Sequence, residues 1–159
     1  MRILFGIIIL TVAVAFNAFA DDSAFFNTGF EEGESMWYNW NDGASSGEIT
    51  EKYNHSGNKS ACREISGEGQ GCYGQITPIN SGEIIEASVW VMNPSSEALL
   101  KGAEVCLRIE FWNDEGPLGS GHVESVHVKE PTGKWIKLAV KARTRDSIVP
   151  AGALAFTAN

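Results

Sequence analysis

Hydrophobic and polar residues alternate along two stretches of this chain. In residues 103–112, AEVCLRIEFW, every second residue from Ala103 to Phe111 is apolar. In residues 84–92, IIEASVWVM, the positions Ile85, Ala87, Val89 and Val91 share the same parity. Because successive side chains of a strand point to opposite faces of a sheet, each stretch predicts a β-strand with one buried face.

Strand-like runs recur along the rest of the chain, separated by Gly, Asn, Ser and Pro, and no window shows a sustained helical period. The predicted strands are Ala24–Glu31, Gly47–Lys52, Ser60–Ile65, Cys72–Thr77, Glu83–Met92, Ala103–Trp112, His122–Val128, Trp135–Lys141 and Ala153–Thr157. Short strands at this spacing indicate an all-β protein, a sandwich of about eight or nine antiparallel strands.

The first twenty residues, MRILFGIIILTVAVAFNAFA, have the organisation of a secretory signal peptide. Arg2 gives a positive start, an apolar core follows, and Ala18-Phe19-Ala20 forms a small-residue end, so we expect cleavage after Ala20 and a secreted product. The alternative is a retained membrane anchor, but the apolar core is short for a span of about twenty residues. Residues 21–159 then form a single domain.

The charge of the chain limits its partners. The formal net charge is −8, and loss of Arg2 with the leader makes it −9. An acidic protein repels phosphate backbones, so nucleic acid is not an expected partner, whereas neutral sugars and cations are compatible with this charge. After cleavage of the leader, no membrane association is expected.

Three cysteines follow the leader: Cys62, Cys72 and Cys106. Export permits a disulfide. The segment SGEGQG between Cys62 and Cys72 resembles a hairpin turn, which would let these two face each other. The alternative is three reduced, partly buried thiols, because spacing alone does not establish disulfide geometry.

The outward faces of the two alternating strands carry an unusual set of side chains. Trp90 and Trp112 are predicted to lie on one sheet face, with Arg108 and Glu110 beside them. An indole ring offers a flat platform for the C–H face of a sugar, and charged groups hydrogen-bond its hydroxyls. These four residues are therefore candidate carbohydrate ligands, and packing is the alternative role for the tryptophans.

Two further regions bear on this surface. Tyr73 and Gln75 would join it if Ile76 faces the core, and Trp37, Tyr38 and Trp40 are expected near a sheet edge. The pattern does not favour catalysis. Glu104, Glu110 and Glu124 lack the closed apolar cleft that a general acid needs. His122 and His127, five apart on a predicted strand, should point to opposite faces.

The order of several motifs resembles a known family. NTGFEEG, HSGNKSACREI, GCYGQITPINSGEIIEASVWVMN and EPTGKWIKLAV follow one another between Asn27 and Leu154. The chain resembles the carbohydrate-binding modules with a galactose-binding-domain-like jelly roll that are appended to cellulases and xylanases. The resemblance implies a jelly-roll β-sandwich that binds plant cell-wall glucan or xylan, with a catalytic domain or a separate glycoside hydrolase as its partner.

The resemblance also implies a structural calcium site. Its ligands would be the Glu31 side chain, the Gly29 carbonyl and carbonyls of the turn from Ser56 to Lys59. Calcium prefers such oxygen ligands. A plain acidic turn is the alternative for NTGFEEG. Family members usually end with a strand that carries an aspartate pair, and AGALAFTAN lacks one. Either the chain is a fragment or the last strand is missing, which would leave a sheet edge unpaired.

Three functions follow from the sequence. The favoured one is a secreted, non-catalytic polysaccharide-binding module. The first alternative is a fragment of a glycoside hydrolase that acts on O-glycosyl bonds. The second is an adhesion or surface protein that uses the sandwich to hold a protein partner. The sugar, its linkage, the calcium and disulfide states and the oligomeric state do not follow from the residues.

Overall fold

The structure is a computed structural model that describes residues 6–16, 25–77, 82–94, 104–113, 116–117, 122–143 and 152–155, with side chains from 25–77, 82–94, 104–111 and 122–143. The regular elements in these ranges are all β-strands: β1 Gly6–Phe16, β2 Tyr38–Thr50, β3 Ser60–Thr77, β4 Ile84–Met92, β5 Arg108–Asn113, β6 Gly116–Pro117, β7 Val123–Glu124, β8 Ile136–Arg143 and β9 Gly152–Ala155. No helix in the described residues is long and apolar enough to cross a bilayer.

The strands pair antiparallel in the order β6-β5-β9-β3-β1-β4-β8, with β2 on β3 and β7 on β5. Strand β3 belongs to both layers of the sandwich. Its first residues pair with β1 and β2, and residues Gln75 to Thr77 pair with β9. One layer therefore contains β4 and β8, and the other contains β5, β7 and β9, with the apolar core between them.

The alternation of the two long strands is confirmed. Ile85, Ala87, Val89 and Val91 are each at most 4% exposed. Val105, Leu107, Ile109 and Phe111 are each at most 6% exposed, while Ala103 lies outside the described residues. The pleat thus turns these residues toward one shared core, as their parity predicts.

Several strand boundaries differ from the prediction. The predicted strands Ser60–Ile65 and Cys72–Thr77 are one continuous strand, β3. The predicted strand Ala103–Trp112 begins only at Arg108, and His122–Val128 shrinks to the two residues of β7. A bulge beside β5 explains these last two losses and is described below with the site.

The prediction of a strand at Ala24–Glu31 is wrong for its described part. Residues 25–36 form successive turns, because the Asn27 side chain supplies the hydrogen bonds that a strand would make with a neighbour. Asn27 Nδ2 donates to Gly33 O at 2.9 Å, and Asn27 Oδ1 accepts from Glu32 N at 3.1 Å. These turns bury Phe30 completely, against Trp37 and Tyr73.

The predicted disulfide between Cys62 and Cys72 is also wrong. Both cysteines are buried thiols that are not joined in a disulfide, and both belong to β3. In the register with β2, Cys62 lies opposite Glu48 and Cys72 lies opposite Trp40, so the two thiols do not face each other. The segment SGEGQG is strand rather than turn, and burial raises the pKa of the Cys62 thiol to about 12.

Strand β1 lies between β3 and β4. Its residues Gly6 to Leu10 pair with β3, and Ile9 to Phe16 pair with β4. These residues also form the apolar core of the predicted leader. Cleavage after Ala20 would therefore remove a central strand and leave the facing edges of β3 and β4 without this partner.

Candidate functional site

The candidate site is the outward face of the layer that contains β5. Arg108 and Glu110 alternate with the buried Ile109 and Phe111, so both side chains point away from the core. Their side chains are 19% and 21% exposed. The predicted outward orientation of this pair is confirmed.

Arg108 lies between two carboxylates on this face. Its Nη1 is 3.1 Å from Glu110 Oε1, and its Nε donates to Glu124 Oε1 at 2.6 Å, while Nη2 also contacts that oxygen. Burial lowers the pKa of Arg108, but the hydrogen bonds to both carboxylates outweigh it and raise that pKa. Burial raises the pKa of Glu124, and Arg108 followed by His127 lowers it further than burial raises it.

A β-bulge beside β5 brings Glu124 and His127 to the same face. Arg108 pairs with Glu124, whereas Val105 bridges to Val128, so two residues on one side oppose three on the other. The Ser125 hydroxyl accepts from Leu107 N at 3.0 Å, where the regular ladder is interrupted. In a regular strand, residues 124 and 127 would point to opposite faces, but the extra residue of the bulge turns both side chains to the same face.

His127 extends the network on this face. Its Nδ1 lies 2.7 Å from Glu104 Oε1, and its Nε2 lies 3.1 Å from Glu124 Oε2. Lys129 Nζ lies 2.9 Å from the second oxygen of Glu104. The prediction that His122 and His127 point to opposite faces fails here, because His122 Nε2 also lies 3.9 Å from Glu124. A bulge carries no sequence signal that period-two reasoning detects.

Two exposed aromatic side chains border the same face on the β2 side. Tyr38 is 36% exposed and Trp40 is 44% exposed. Tyr38 lies over Gly74, where an added Cβ would come within 2.0 Å of the tyrosine ring. Burial, then the charges of Cys72 and Glu110, raises the pKa of the Tyr38 phenol.

The register connects the aromatic border to the charged pair. Ile76 pairs with Ala153 of β9, and Ala153 pairs with Glu110, so these three positions form a row across the layer. Ile76 is 52% exposed, which shows that this row faces outward. The face therefore runs from Tyr38 and Trp40 to Arg108 and Glu110 across β9, and we name these four residues the β5 face.

Two predicted carbohydrate ligands do not lie on this face. Tyr73 is 1% exposed and Gln75 is 3% exposed, so neither can contact a surface ligand. Gln75 instead holds Phe26, donating to its carbonyl at 3.1 Å and accepting from its amide at 2.8 Å. Tyr73 and Gln75 could belong to the ligand surface only if Ile76 faced the core. Because Ile76 is exposed instead, Tyr73 and Gln75 face inward.

The prediction that Trp90 shares a face with Arg108 and Glu110 is wrong. Strand β4 pairs with β1 and β8 in the other layer, so outward side chains of β4 and β5 emerge on opposite sides of the sandwich. The indole of Trp90 stacks on His55 at 4.3 Å, and His55 meets Trp135 edge to face at 5.6 Å. Trp90 thus anchors the loop around His55.

The remaining tryptophans have different environments. Trp37, expected near a sheet edge, is 6% exposed and belongs to the core. Its indole nitrogen donates to Asn27 O at 3.0 Å. Trp112 lies in β5, where its backbone pairs with Pro117, and its side chain lies outside the described residues.

The residues predicted to bind calcium meet, but they do not fit a cation. Glu31 Oε1 accepts from Asn58 N at 2.8 Å and from Lys59 N at 3.1 Å. Lys59 Nζ donates to the Glu31 carbonyl oxygen at 3.0 Å. Hydrogen bonds from the Asn58 and Lys59 amides lower the pKa of Glu31. The turn from Ser56 to Lys59 therefore offers N–H donors and an ammonium to Glu31, whereas calcium needs about six to eight oxygen ligands.

The contact between Glu31 and this turn explains why residue 57 is a glycine. Gly57 has φ +71°, and an added Cβ would lie 2.2 Å from Glu31 Oε1. A side chain at position 57 would thus displace the carboxylate from the turn amides. The two glutamates of NTGFEEG therefore have different roles. Glu31 connects two loops through its hydrogen bonds, and Glu32 beside it is exposed.

No protein-family model and no curated protein sequence matches the chain. Among solved structures, Family 16 Carbohydrate Binding Module-2 is 15% identical with a TM-score of 0.55, over 86% of this chain and 94% of that one. The tandem CBM22-1-CBM22-2 domain of Paenibacillus barcinonensis Xyn10C is 17% identical with a TM-score of 0.53, over 91% of this chain and 46% of that one.

A third similar structure belongs to a larger protein. The enzymatically active domain of bacteriophage CBA120 tailspike protein 4 is 13% identical with a TM-score of 0.61. The match covers 86% of this chain but only 19% of the tailspike chain. Taken together, these similarities show that the chain has the jelly-roll β-sandwich fold found in carbohydrate-binding modules.

Proposed function

We propose that this protein is a non-catalytic module that binds polysaccharide on the β5 face. The observation that carries the proposal is the exposure of Tyr38 and Trp40 on the same outward surface as Arg108 and Glu110. Aromatic rings bind the apolar faces of sugars, and the ion pair supplies donors and acceptors for hydroxyl groups. An open sheet face suits an extended chain of sugar residues.

The carboxylates on this surface favour binding over hydrolysis. A glycosidase needs a carboxylic acid whose pKa is raised so that it can donate a proton. Both Glu110 and Glu124 are instead paired with Arg108, and the pKa of Glu124 is lowered. We therefore propose that any hydrolysis belongs to a partner glycoside hydrolase, in the same or a separate chain.

The ligand class and location follow from the family resemblance of the sequence. We propose a plant cell-wall glucan or xylan as ligand, and export through the leader that ends at Ala20. The shared fold with the Xyn10C tandem domain and with the Family 16 module supports a carbohydrate ligand. A β-glucan and a xylan therefore make the first pair of test polymers.

The exposed area of Trp40 gives an estimate of how much affinity its loss would cost. A tryptophan buries up to about 250 Å², so its exposed 44% offers about 110 Å² to a sugar. At about 25 cal/mol per Å² this is roughly 2.7 kcal/mol, and ordering costs reduce it to about 1–2 kcal/mol. Trp40→Ala is therefore expected to weaken binding roughly 5- to 30-fold.

Affinity gel electrophoresis in xylan and β-glucan tests the proposal. We expect the unchanged chain to be retained and Trp40→Ala to lose retention. Trp90→Ala, a control that makes the same substitution on the opposite layer, should still be retained. Unchanged mobility of Trp40→Ala, or loss only for Trp90→Ala, would place the site elsewhere. A reducing-sugar assay on the same samples should detect no product, and product formation would favour the hydrolase alternative.

A further inference from the structure

A mixed group of metal-binding side chains lies beside the β5 face. One ligand atom from each of Cys106, Glu124 and His127 falls within 4.8 Å of the other two. Zinc ligands at about 2.0–2.3 Å from the metal stand roughly 3.3–3.8 Å apart, so modest side-chain adjustment would close this set around a cation. We propose that Cys106, Glu124 and His127 form a binding site for Zn²⁺ or another thiol-seeking divalent cation.

The bulge beside β5 creates this group. Without its extra residue, Glu124 and His127 would point to opposite sides of their segment. With it, His127 Nε2 and Glu124 Oε2 lie 3.1 Å apart, on the side where Cys106 is flanked by the outward positions 104 and 108. A metal ion would replace this direct contact, and the partial exposure of His127 and Glu124 gives it access from solvent.

The atoms that would not bind the metal already have partners of the kind that zinc sites use. Glu104 Oε1 lies 2.7 Å from His127 Nδ1, which leaves Nε2 to bind a cation. Arg108 Nε holds Glu124 Oε1 at 2.6 Å, which leaves Oε2 for the same purpose. Outer carboxylates that hold a ligating histidine orient it and increase metal affinity.

The local charge also suits a divalent cation. Glu104, Glu110 and Glu124 contribute −3, and Arg108 and Lys129 contribute +2, which leaves −1. Zinc binds the cysteine as a thiolate, so binding would release the Cys106 proton to solvent and bring the local charge to −2. One Zn²⁺ then neutralises the cluster, and the fourth position of a tetrahedral site would remain for water.

The test is titration of the full chain, kept reduced, with Zn²⁺ and with Co²⁺. We expect one ion per chain, release of a proton on binding, and a thiolate-to-cobalt absorption band in the near ultraviolet. Cys106→Ser should abolish the band, while Cys62→Ser, a matched substitution of another buried thiol, should leave it unchanged. Glu104→Gln keeps all three ligands and should lower zinc affinity about 10- to 100-fold.

Three outcomes would overturn the inference. They are the lack of stoichiometric binding, a cobalt band that survives Cys106→Ser, and a Glu104→Gln chain with unchanged zinc affinity. Because Glu104→Gln alters an outer partner at the surface, it keeps the test decisive if Cys106→Ser does not fold. Polysaccharide retention is measured without added metal and metal binding without polysaccharide, so the proposed function and the metal site can fail separately.

Discussion

Arg63 is expected to be a large single contributor to stability, although its guanidinium is charged and only 6% of the residue is exposed. Its Nη1 donates to Asn41 Oδ1 at 2.6 Å and to Ser45 Oγ at 2.9 Å. Its Nη2 donates to Asn39 Oδ1 at 2.8 Å and to Cys72 O at 3.0 Å. These bonds join β2 to β3 beneath the aromatic border of the β5 face.

The cost of Arg63→Met can be estimated bond by bond. The buried carbonyl of Cys72 would lose this hydrogen bond, at about 1–3 kcal/mol. The three side-chain acceptors belong to residues that are exposed or half-buried, so each lost bond costs about 0.5–1 kcal/mol. Within the described residues, Arg63 Nε is buried without a hydrogen-bond partner, and removing it returns about 1 kcal/mol. The net loss is about 1.5–5 kcal/mol.

Urea unfolding followed by far-ultraviolet circular dichroism measures this loss. The matched control is Asn41→Ala, which removes one acceptor of Arg63 and the exposed hydrogen bond that Asn41 Nδ2 donates to Asn39 Oδ1, and it should cost less than about 1 kcal/mol. A loss below about 1 kcal/mol for Arg63→Met would refute the view that the buried guanidinium organises the β2–β3 pairing. A loss equal to that of Asn41→Ala would refute it in the same way.

Three further predictions concern the parts of the chain where sequence and structure differ. Adding millimolar calcium, or removing it with a chelator, should leave the thermal midpoint of unfolding unchanged, because amides and the Lys59 ammonium surround Glu31. A clear increase of the thermal midpoint with calcium would show that calcium does bind here. Burial raises the pKa of Cys62 from 9.0 to about 12, so its contribution to stability is complete below pH 9 and is lost as the pH rises toward 12. Cys62→Ser should therefore flatten the fall in unfolding free energy between about pH 9 and pH 11, and an identical slope in both proteins would contradict this assignment. The N-terminal sequence of exported protein should begin at Asp21, whereas a start at Met1 would show that residues 6–16 are retained.

The sequence was most informative where the pleat alone decides orientation. The apolar parity of residues 85–91 and 105–111 correctly predicted the two core-facing strands, since a regular strand leaves only two faces to choose between. The same parity correctly turned Arg108 and Glu110 outward. It could not show that β4 and β5 belong to different layers, because layer membership depends on long-range pairing that has no local signal.

The rest of the site depends on irregular backbone. The bulge near Ser125 reverses parity between Glu124 and His127, and the continuity of β3 through SGEGQG separates Cys62 from Cys72. A glycine-rich segment favours a turn on composition alone, yet here its glycines let β2 and the Arg63 side chain approach closely. An added Cβ at Gly71 would lie 1.9 Å from Arg63 Nη1.

The most direct test of the account is a nitrogen–proton correlation spectrum of the assigned protein, titrated with a short xylo- or cello-oligosaccharide. The account predicts shifts of the Trp40 indole signal and of the backbone amides of Tyr38, Arg108 and Glu110. The indole signals of Trp90 and Trp135, on the opposite layer, should stay in place. Shifts confined to Trp90, Trp135 and the loop around His55 would contradict the assignment of the β5 face as the carbohydrate-binding surface.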